Sequence, residues 1–251
     1  KHFGACRFVY NHFLERRISL WNNSKESSTA YKDMKELTKL KQDKDWLYEI
    51  SNPSLQQSLL NLDNGYKKFF GKKAKFPKFK NRRSKRSFKV NQVIKIKDNK
   101  IQITKFREGI KFDNHRTVEG NIKSATISRN SANQYFVSIL VEKGVPKLAT
   151  KNTKIGIDLG ISNLATCSNG TVYPNIRSYK KLENRIKRLS RSLSRKTRGS
   201  NSYERCRLKL AKLHLKVANI RINHLHQTTS KLVNENQVIC IEDLNVSGMM
   251  K

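Results

Sequence analysis

The chain has 251 residues, and its 53 Lys and Arg outnumber 19 Asp and Glu to leave a formal net charge of +34. That length suffices for two domains or for one with a sizeable insertion, and the charge is the footprint of a polyanion partner, nucleic acid being the usual one. The sequence lacks the apolar run of roughly 18 residues that a transmembrane helix needs, and a basic membrane-surface protein would need amphipathic helices with apolar faces left free for lipid.

The chain opens on KHFGACRF, with no Met and no signal peptide, as if an earlier start had been removed. Residues 1–71 read as helices. Phe3, Cys6, Tyr10, Phe13 and Leu14 recur at helical spacing, and a charged middle, KESSTAYKDMKELTKLKQDKD, follows. SNPSLQQSLLNLDNGYKKFF then predicts a well-punctuated helix. Asn52 is its N-cap, Pro53 suits the first helical position, and Leu55, Leu59, Leu62, Tyr66 and Phe69 form one face.

Residues 72–150 change character. The stretch GKKAKFPKFKNRRSKRSFKV (71–90) packs basic residues around Phe76, Phe79 and Phe88 and is not expected to form a regular buried element. Its cations, Lys72, Lys73, Lys75, Lys78, Lys80, Arg82, Arg83, Lys85 and Arg86, suit phosphate contact, with Phe76 and Phe79 available for base stacking. The alternative is a solvated basic loop whose phenylalanines tuck inward as anchors. Two hairpins follow, QVIKIKDNKIQITK turning at Asp98-Asn99 and SATISRNSANQYFVSILVEK turning near Asn130–Asn133. Short alternating strands at this density suggest a β-barrel or a curled sheet.

Residues 151–251 shift again. In KIGIDLG, Ile155, Ile157 and Leu159 alternate with Gly156 and Asp158. The strand NLATCS, the Asn169-Gly170 turn and TVYP complete a hairpin. A long helical hairpin comes next, with Leu182, Ile186, Leu189 and Leu193 on its first arm and RGSNS (198–202) as the turn. On its second arm Leu208, Ala211, Leu215, Ala218, Ile222, Leu225 and Leu232 stand at steps of three and four, Thr229 filling the missing place, which is a coiled-coil seam. Arg185, Lys187, Arg188, Arg191, Arg195, Lys196 and Arg198 line this hairpin with only Glu183 nearby as a counter-acid, either as a solvated face or as phosphate contacts. QVICIEDLNVSGMM supplies a last, buried strand ending in Glu242-Asp243. The four cysteines, Cys6, Cys167, Cys206 and Cys240, form no CxxC pair, which argues for reduced cytosolic thiols and against a zinc site within these residues.

Asp158 is the informative acid. A carboxylate taken out of water without a partner costs several kcal/mol, so either strand alternation turns it to solvent or a cation is meant to sit on it. A carboxylate on a first strand and another at the end of a later strand can meet at one sheet edge. Mg²⁺ takes oxygen ligands of this kind with few protein carboxylates, and two such ions clamp the oxygens of a phosphodiester undergoing displacement. Asp158 and Glu242 are therefore the candidate metal ligands, with Asp243 on the opposite strand face. IGIDLGISN also looks like the first phosphate loop of the actin-like and heat-shock ATPases, although no second glycine-rich DLGGGT-type loop is present.

Six segments in order along the chain, KHFGACRFVYNHFLERR, SLQQSLLNLDNGYKKFF, KAKFPKFKNRRSKRSF, IGIDLGISNLAT, LSRSLSRKTRGS and VICIEDLNVSGMM, resemble TnpB, the transposon-encoded OrfB family of RNA-guided DNA nucleases related to type V CRISPR effectors. The resemblance implies a mixed α/β multi-domain fold. Residues 1–71 would be a helical recognition lobe, 72–150 a wedge-like β-barrel, and 151–251 a RuvC domain of RNase H-like fold with an inserted helical hairpin. It also implies that the first two catalytic acids are Asp158 and Glu242, with Mg²⁺ or Mn²⁺ as cofactor. The implied partners are a guide RNA and double-stranded DNA beside a short recognition motif, with no membrane partner, in the cytoplasm of a bacterial or archaeal cell at the nucleoid. Base pairing would then read most of the target while the protein holds the heteroduplex by shape and charge.

The family pattern includes an earlier strand, a CxxC…CxxC zinc ribbon and a third catalytic Asp, none of which lies in these residues. The expectation is a fragment or a truncated relative in which zinc belongs only to a C-terminal segment beyond these residues, and in which two acids of three cleave weakly or not at all. A nuclease-dead, RNA-guided protein acting by occupancy is the alternative, and the retention of Asp158 and Glu242 favours the nuclease.

Overall fold

In the computed structural model, which describes residues 1–82, 84–144, 150–245 and 248, helix α1 (His2–Ser24) buries Cys6, Val9, Tyr10, Phe13 and Leu14 on one face. The charged middle forms helix α2 (Ala30–Asp43), because Leu37 and Leu40 turn together into the same core and the Thr29 hydroxyl accepts the Lys32 N–H to cap its start. A 3₁₀ turn (Asp45–Glu49) leads to helix α3 (Asn52–Phe70), whose Leu55, Leu59 and Leu62 are fully buried. Its cap is Ser51 rather than Asn52, one residue earlier than the punctuation suggested. The Ser51 N–H donates to His2 Nε2 at 3.1 Å.

The strands that follow are β1 (Arg86–Val90), β2 (Lys95–Lys97), β3 (Lys100–Ile103), β4 (Phe106–Lys111), β5 (Asn121–Arg129) and β6 (Tyr135–Glu142). They form two antiparallel three-stranded sheets, β1-β5-β6 and β2-β3-β4, and among the described residues there is no closed barrel. Asp98 and Asn99 both adopt the left-handed conformation, as a tight two-residue hairpin turn requires. The end of the stretch read as irregular is regular after all. Residues 86–90 are β1, because Phe88 and Val90 alternate inward beside Ile101, Ile103, Ala125 and Ile127. These residues join the helices in one core, so residues 1–144 constitute a single unit.

The second unit, which follows residue 144, contains β7 (Lys154–Leu159), β8 (Asn163–Cys167), β9 (Val172–Pro174), α4 (Ser178–Ser194), α5 (Asn201–Glu235) and β10 (Val238–Ile241). Its sheet runs β10-β7-β8-β9, with β10 parallel to β7 and the other pairs antiparallel. Gly170 takes a φ of 81° in the β8–β9 turn, which its lack of a Cβ permits. Ile155, Ile157, Ala165 and Cys167 pack beneath the sheet against Leu232 of α5. Helices α4 and α5 meet through Ile186, Leu213 and Val217, flanked by Leu182, Leu189 and Leu210.

Two expectations fail here. The stripe of α5 that meets α4 is not the predicted seam. Leu208, Ala211, Leu215 and Ala218 are only partly buried, and Ile222 and Leu225 are exposed. Alternating apolar residues exist on two sides of this helix, and spacing alone does not say which side finds a partner. Nor is β10 buried: it is an edge strand, with Val238, Cys240 and Ile241 exposed.

One ion-pair network lies inside the helical core. Asp33, fully buried, accepts from Arg17 Nε at 2.7 Å, from Arg16 Nη1 at 3.3 Å and from the Ser28 hydroxyl at 2.7 Å, while Arg17 also reaches Asp63 at 3.3 Å. Removing one member strands a buried charge. Asp33→Ala is expected to destabilise the protein by about 3–5 kcal/mol in urea unfolding. Glu204→Ala, which breaks an exposed pair with Arg207, is expected to cost less than about 1 kcal/mol.

Burial pulls His2 down to a pKa of about 4, consistent with a neutral ring that accepts the Ser51 N–H. Below pH 6.5 the unfolded chain takes up this proton and the folded one does not, so the contribution to stability is complete above pH 6.5 and lost as pH falls toward 4. Unfolding midpoints measured from pH 7 to 4.5 should fall, and His2→Gln should flatten that dependence.

Candidate active site and basic surfaces

Strand β7 places its isoleucines under the sheet, so Asp158 emerges on the opposite face and is exposed. The cost of burial inferred from the surrounding apolar run is therefore not incurred. Alternation along the strand is what turns the acid to solvent. Ile239 pairs with Ile155, Cys240 with Gly156 and Ile241 with Ile157, where the ladder ends; the same register continued by one residue would set Glu242 beside Asp158. Residues abreast in a parallel pair share a sheet face, on strands about 4.8 Å apart. On its other side Asp158 pairs with Thr166. Glu242 is exposed, and neither acid makes a hydrogen bond or ion pair among the described residues. Two free carboxylates abreast repel each other in water and gain from a shared cation. No third His, Cys, Asp or Glu joins them among the described residues. That donor set fits Mg²⁺ or Mn²⁺, which take one or two protein carboxylates and complete their shells with water and phosphate oxygens. Asp243 follows Glu242 and is exposed as well.

The basic loop is pinned to the helices by every few residues. Pro77 is buried, and the Asn11 side chain holds the Lys80 backbone by two hydrogen bonds of 2.8 Å. Phe76, 41 % exposed, meets the edges of Tyr66 and Phe69, so it serves in part as an anchor. Phe79 is 54 % exposed and stands free for stacking. Lys80 lies over the Tyr10 ring, 3.7 Å from its centroid, and burial lowers its pKa. Its ammonium is directed at the helix rather than into solvent. Lys72, Lys73, Lys75, Lys78, Arg82, Lys85 and Arg86 are exposed. Arg83 lies outside the described residues, as does much of the final VSGMMK.

On α4, Arg185, Arg188, Arg191 and Arg195 are exposed, and Arg198 is exposed in the turn after it. Lys187 is tied to Glu183 at 2.9 Å. A second row was missed in the sequence. Arg205, Lys209, Lys212 and Lys216 stand at steps of four, three and four on α5, all exposed. Its signal in the sequence is the helical spacing of these cations, interleaved with the apolar residues of the same helix. The four cysteines are free thiols, Cys240 alone exposed. No helix among the described residues is long and apolar enough to cross a membrane.

A family model described as "Probable transposase" (OrfB_IS605) matches residues 137–251, and one described as "Helix-turn-helix domain" (HTH_OrfB_IS605) matches residues 1–26. The chain is 35 % identical over 256 residues to the "Putative RNA-guided DNA endonuclease InsQ" of Escherichia coli K12, covering 99 % of this chain and 62 % of that protein. It is 30 % identical over 255 residues to a "Putative RNA-guided DNA endonuclease" of Streptomyces pristinaespiralis, covering 99 % of this chain and 63 % of that one. The chain thus spans a little over three fifths of these relatives. Family models at both ends and relatives aligned along almost all of it make this protein a member of the OrfB_IS605 transposase family, the TnpB proteins.

Proposed function

We propose that this chain is the guide-binding and first catalytic portion of an RNA-guided DNA endonuclease, in which Asp158 and Glu242 hold Mg²⁺ or Mn²⁺ at a RuvC-type site. The observation that carries the reading is the β7–β10 register. Continued one residue past Ile241, that register would set two carboxylates abreast, in a chain whose formal charge is +34. When bound, the metal supplies Lewis-acid stabilisation to the oxygens of the phosphodiester.

The residues of the chain do the rest. Asp158 is paired with Thr166 of β8, which fixes its backbone near the end of β7. Glu242 lies just past the end of an edge strand and completes the pair. The exposed lysines and arginines of the 72–86 loop and the two arginine and lysine rows of α4 and α5 neutralise phosphate and position the strands of an RNA–DNA hybrid, while base pairing selects the target. Phe79 offers a face on which a base can stack.

In the complete protein, Asp158→Ala or Glu242→Gln should abolish metal-dependent DNA cutting and leave co-purification of RNA unchanged. Cutting that survives both substitutions would place the active site elsewhere. RNA that binds with no cutting by the complete wild-type protein would favour a role by occupancy. Binding of the hybrid should also weaken steeply with salt, log K falling by roughly 0.9 per phosphate neutralised on duplex DNA for each tenfold rise in salt. A flat salt response would sink the phosphate-binding assignment.

A further inference from the structure

A cavity of about 550 Å³ opens in the second unit, where α4 begins beside the middle of α5. Arg177, Ser178, Tyr179 and Lys180 line it from one side, Arg221 and His224 from the other, and no Asp or Glu is among its lining residues. Three features make this an anion site. The N–H groups of Ser178, Tyr179 and Lys180 form the first turn of a 17-residue helix and have no acceptor among the described residues. No side chain caps that turn and no acid stands in it. Ser178 is 5 % exposed, the only buried residue of the lining, yet its hydroxyl makes no hydrogen bond among the described residues. Unlike the Ser51 hydroxyl, it is not sealed from solvent, so it stands open to an acceptor that enters the cavity.

The neighbouring polar groups are already committed. Asn175, the natural candidate to cap α4, instead donates from Nδ2 to the Ile161 carbonyl at 2.8 Å and accepts the Arg177 N–H at 3.1 Å. His224 Nε2 donates to the Pro174 carbonyl at 3.1 Å. Arg177, Lys180 and Arg221 are exposed and make no ion pair among the described residues. A tetrahedral anion seated here takes three backbone N–H groups, one hydroxyl and up to three cationic side chains, a set suited to phosphate.

We propose that this cavity is a phosphate clamp that grips one phosphate of a nucleic-acid strand, a fixed point distinct from the exposed arginine row of α4. The proposal rests on the nucleic-acid reading given above. An open cavity suits a phosphate within a polymer better than an enclosed one would. The same helix carries Arg185, Arg188, Arg191 and Arg195 onward from the clamp, a track for the strand that leaves it.

The test is a titration of the ¹⁵N-labelled full chain, with divalent metal chelated, using a short single-stranded oligonucleotide with and without a 5′-phosphate and, separately, inorganic phosphate. The amides of Ser178, Tyr179 and Lys180 should shift and saturate with the oligonucleotide. Shifts with both forms identify an internal phosphodiester as the occupant; shifts only with the 5′-phosphorylated form identify a strand terminus. Arg221→Gln and Lys180→Gln, both at exposed positions, should each weaken this titration by roughly tenfold, and Ser178→Ala should weaken it without changing the unfolding midpoint. The proposal is overturned if the oligonucleotide moves Arg188 and Arg191 but not the three amides, or if only inorganic phosphate moves them. Because no metal is present, an intact titration with no cutting by the complete protein would reject the nuclease reading alone.

Discussion

The parallel pairing of β10 with β7 is the constraint on which the second unit depends. Two parallel strands cannot be joined by a tight turn, and here the connection runs through a hairpin strand pair and two helices before returning. The return is guided at the strand's foot. Thr153 receives the N–H groups of Gln237 and Val238 on its carbonyl, at 3.0 and 3.2 Å, and its hydroxyl donates to the Glu235 carbonyl at 2.7 Å. Leu232, on the last turn of α5, simultaneously fills the space beneath Ile155 and Ile157. A slip of one residue would turn Ile239 out of the core, so packing under the sheet enforces the register of β10 on β7.

Charge is distributed by the same logic. The helical core spends its few internal acids, Asp33 and Asp63, on Arg16 and Arg17, and Asp33 also takes the Ser28 hydroxyl. The outer cations are left largely without counter-charges. Such a surface repels itself and a polyanion relieves the repulsion, so the excess that weakens the free chain is what strengthens its complex. Anchoring of the basic loop by Pro77, Phe76 and the Lys80 backbone means that its exposed lysines sit at fixed positions rather than on a free tether.

Much of this was legible in the sequence. Asn169-Gly170 and Asp98-Asn99 announced their hairpins because their conformations have few other residues to choose from, and the apolar face of α3 followed from spacing. Asp158 and Glu242 stand out by position, one on β7 and the other one residue past the end of β10. What failed involved choices between partners. The seam from Leu208 to Leu225 obeys helical spacing as well as the stripe through Leu213 and Val217 does, and only the second meets α4. The apolar composition of β10 suggested burial, but an edge strand can be as apolar as a central one. The clamp at Ser178 was invisible, since it depends on a cap that Asn175 does not make.

The mixed core of the first unit has a consequence for how the chain comes off the ribosome. Helices α1 and α3 pack on each other and are also covered by residues as distant as Phe88, Ile101 and Ile127, so part of their apolar surface stays wet until β5 has emerged. At ordinary translation speeds that wait is on the order of ten seconds. Throughout it the nascent segment presents greasy helices interleaved with lysine and arginine, and the ribosome is itself made largely of polyanion. The cations that serve the finished protein also set what it touches first.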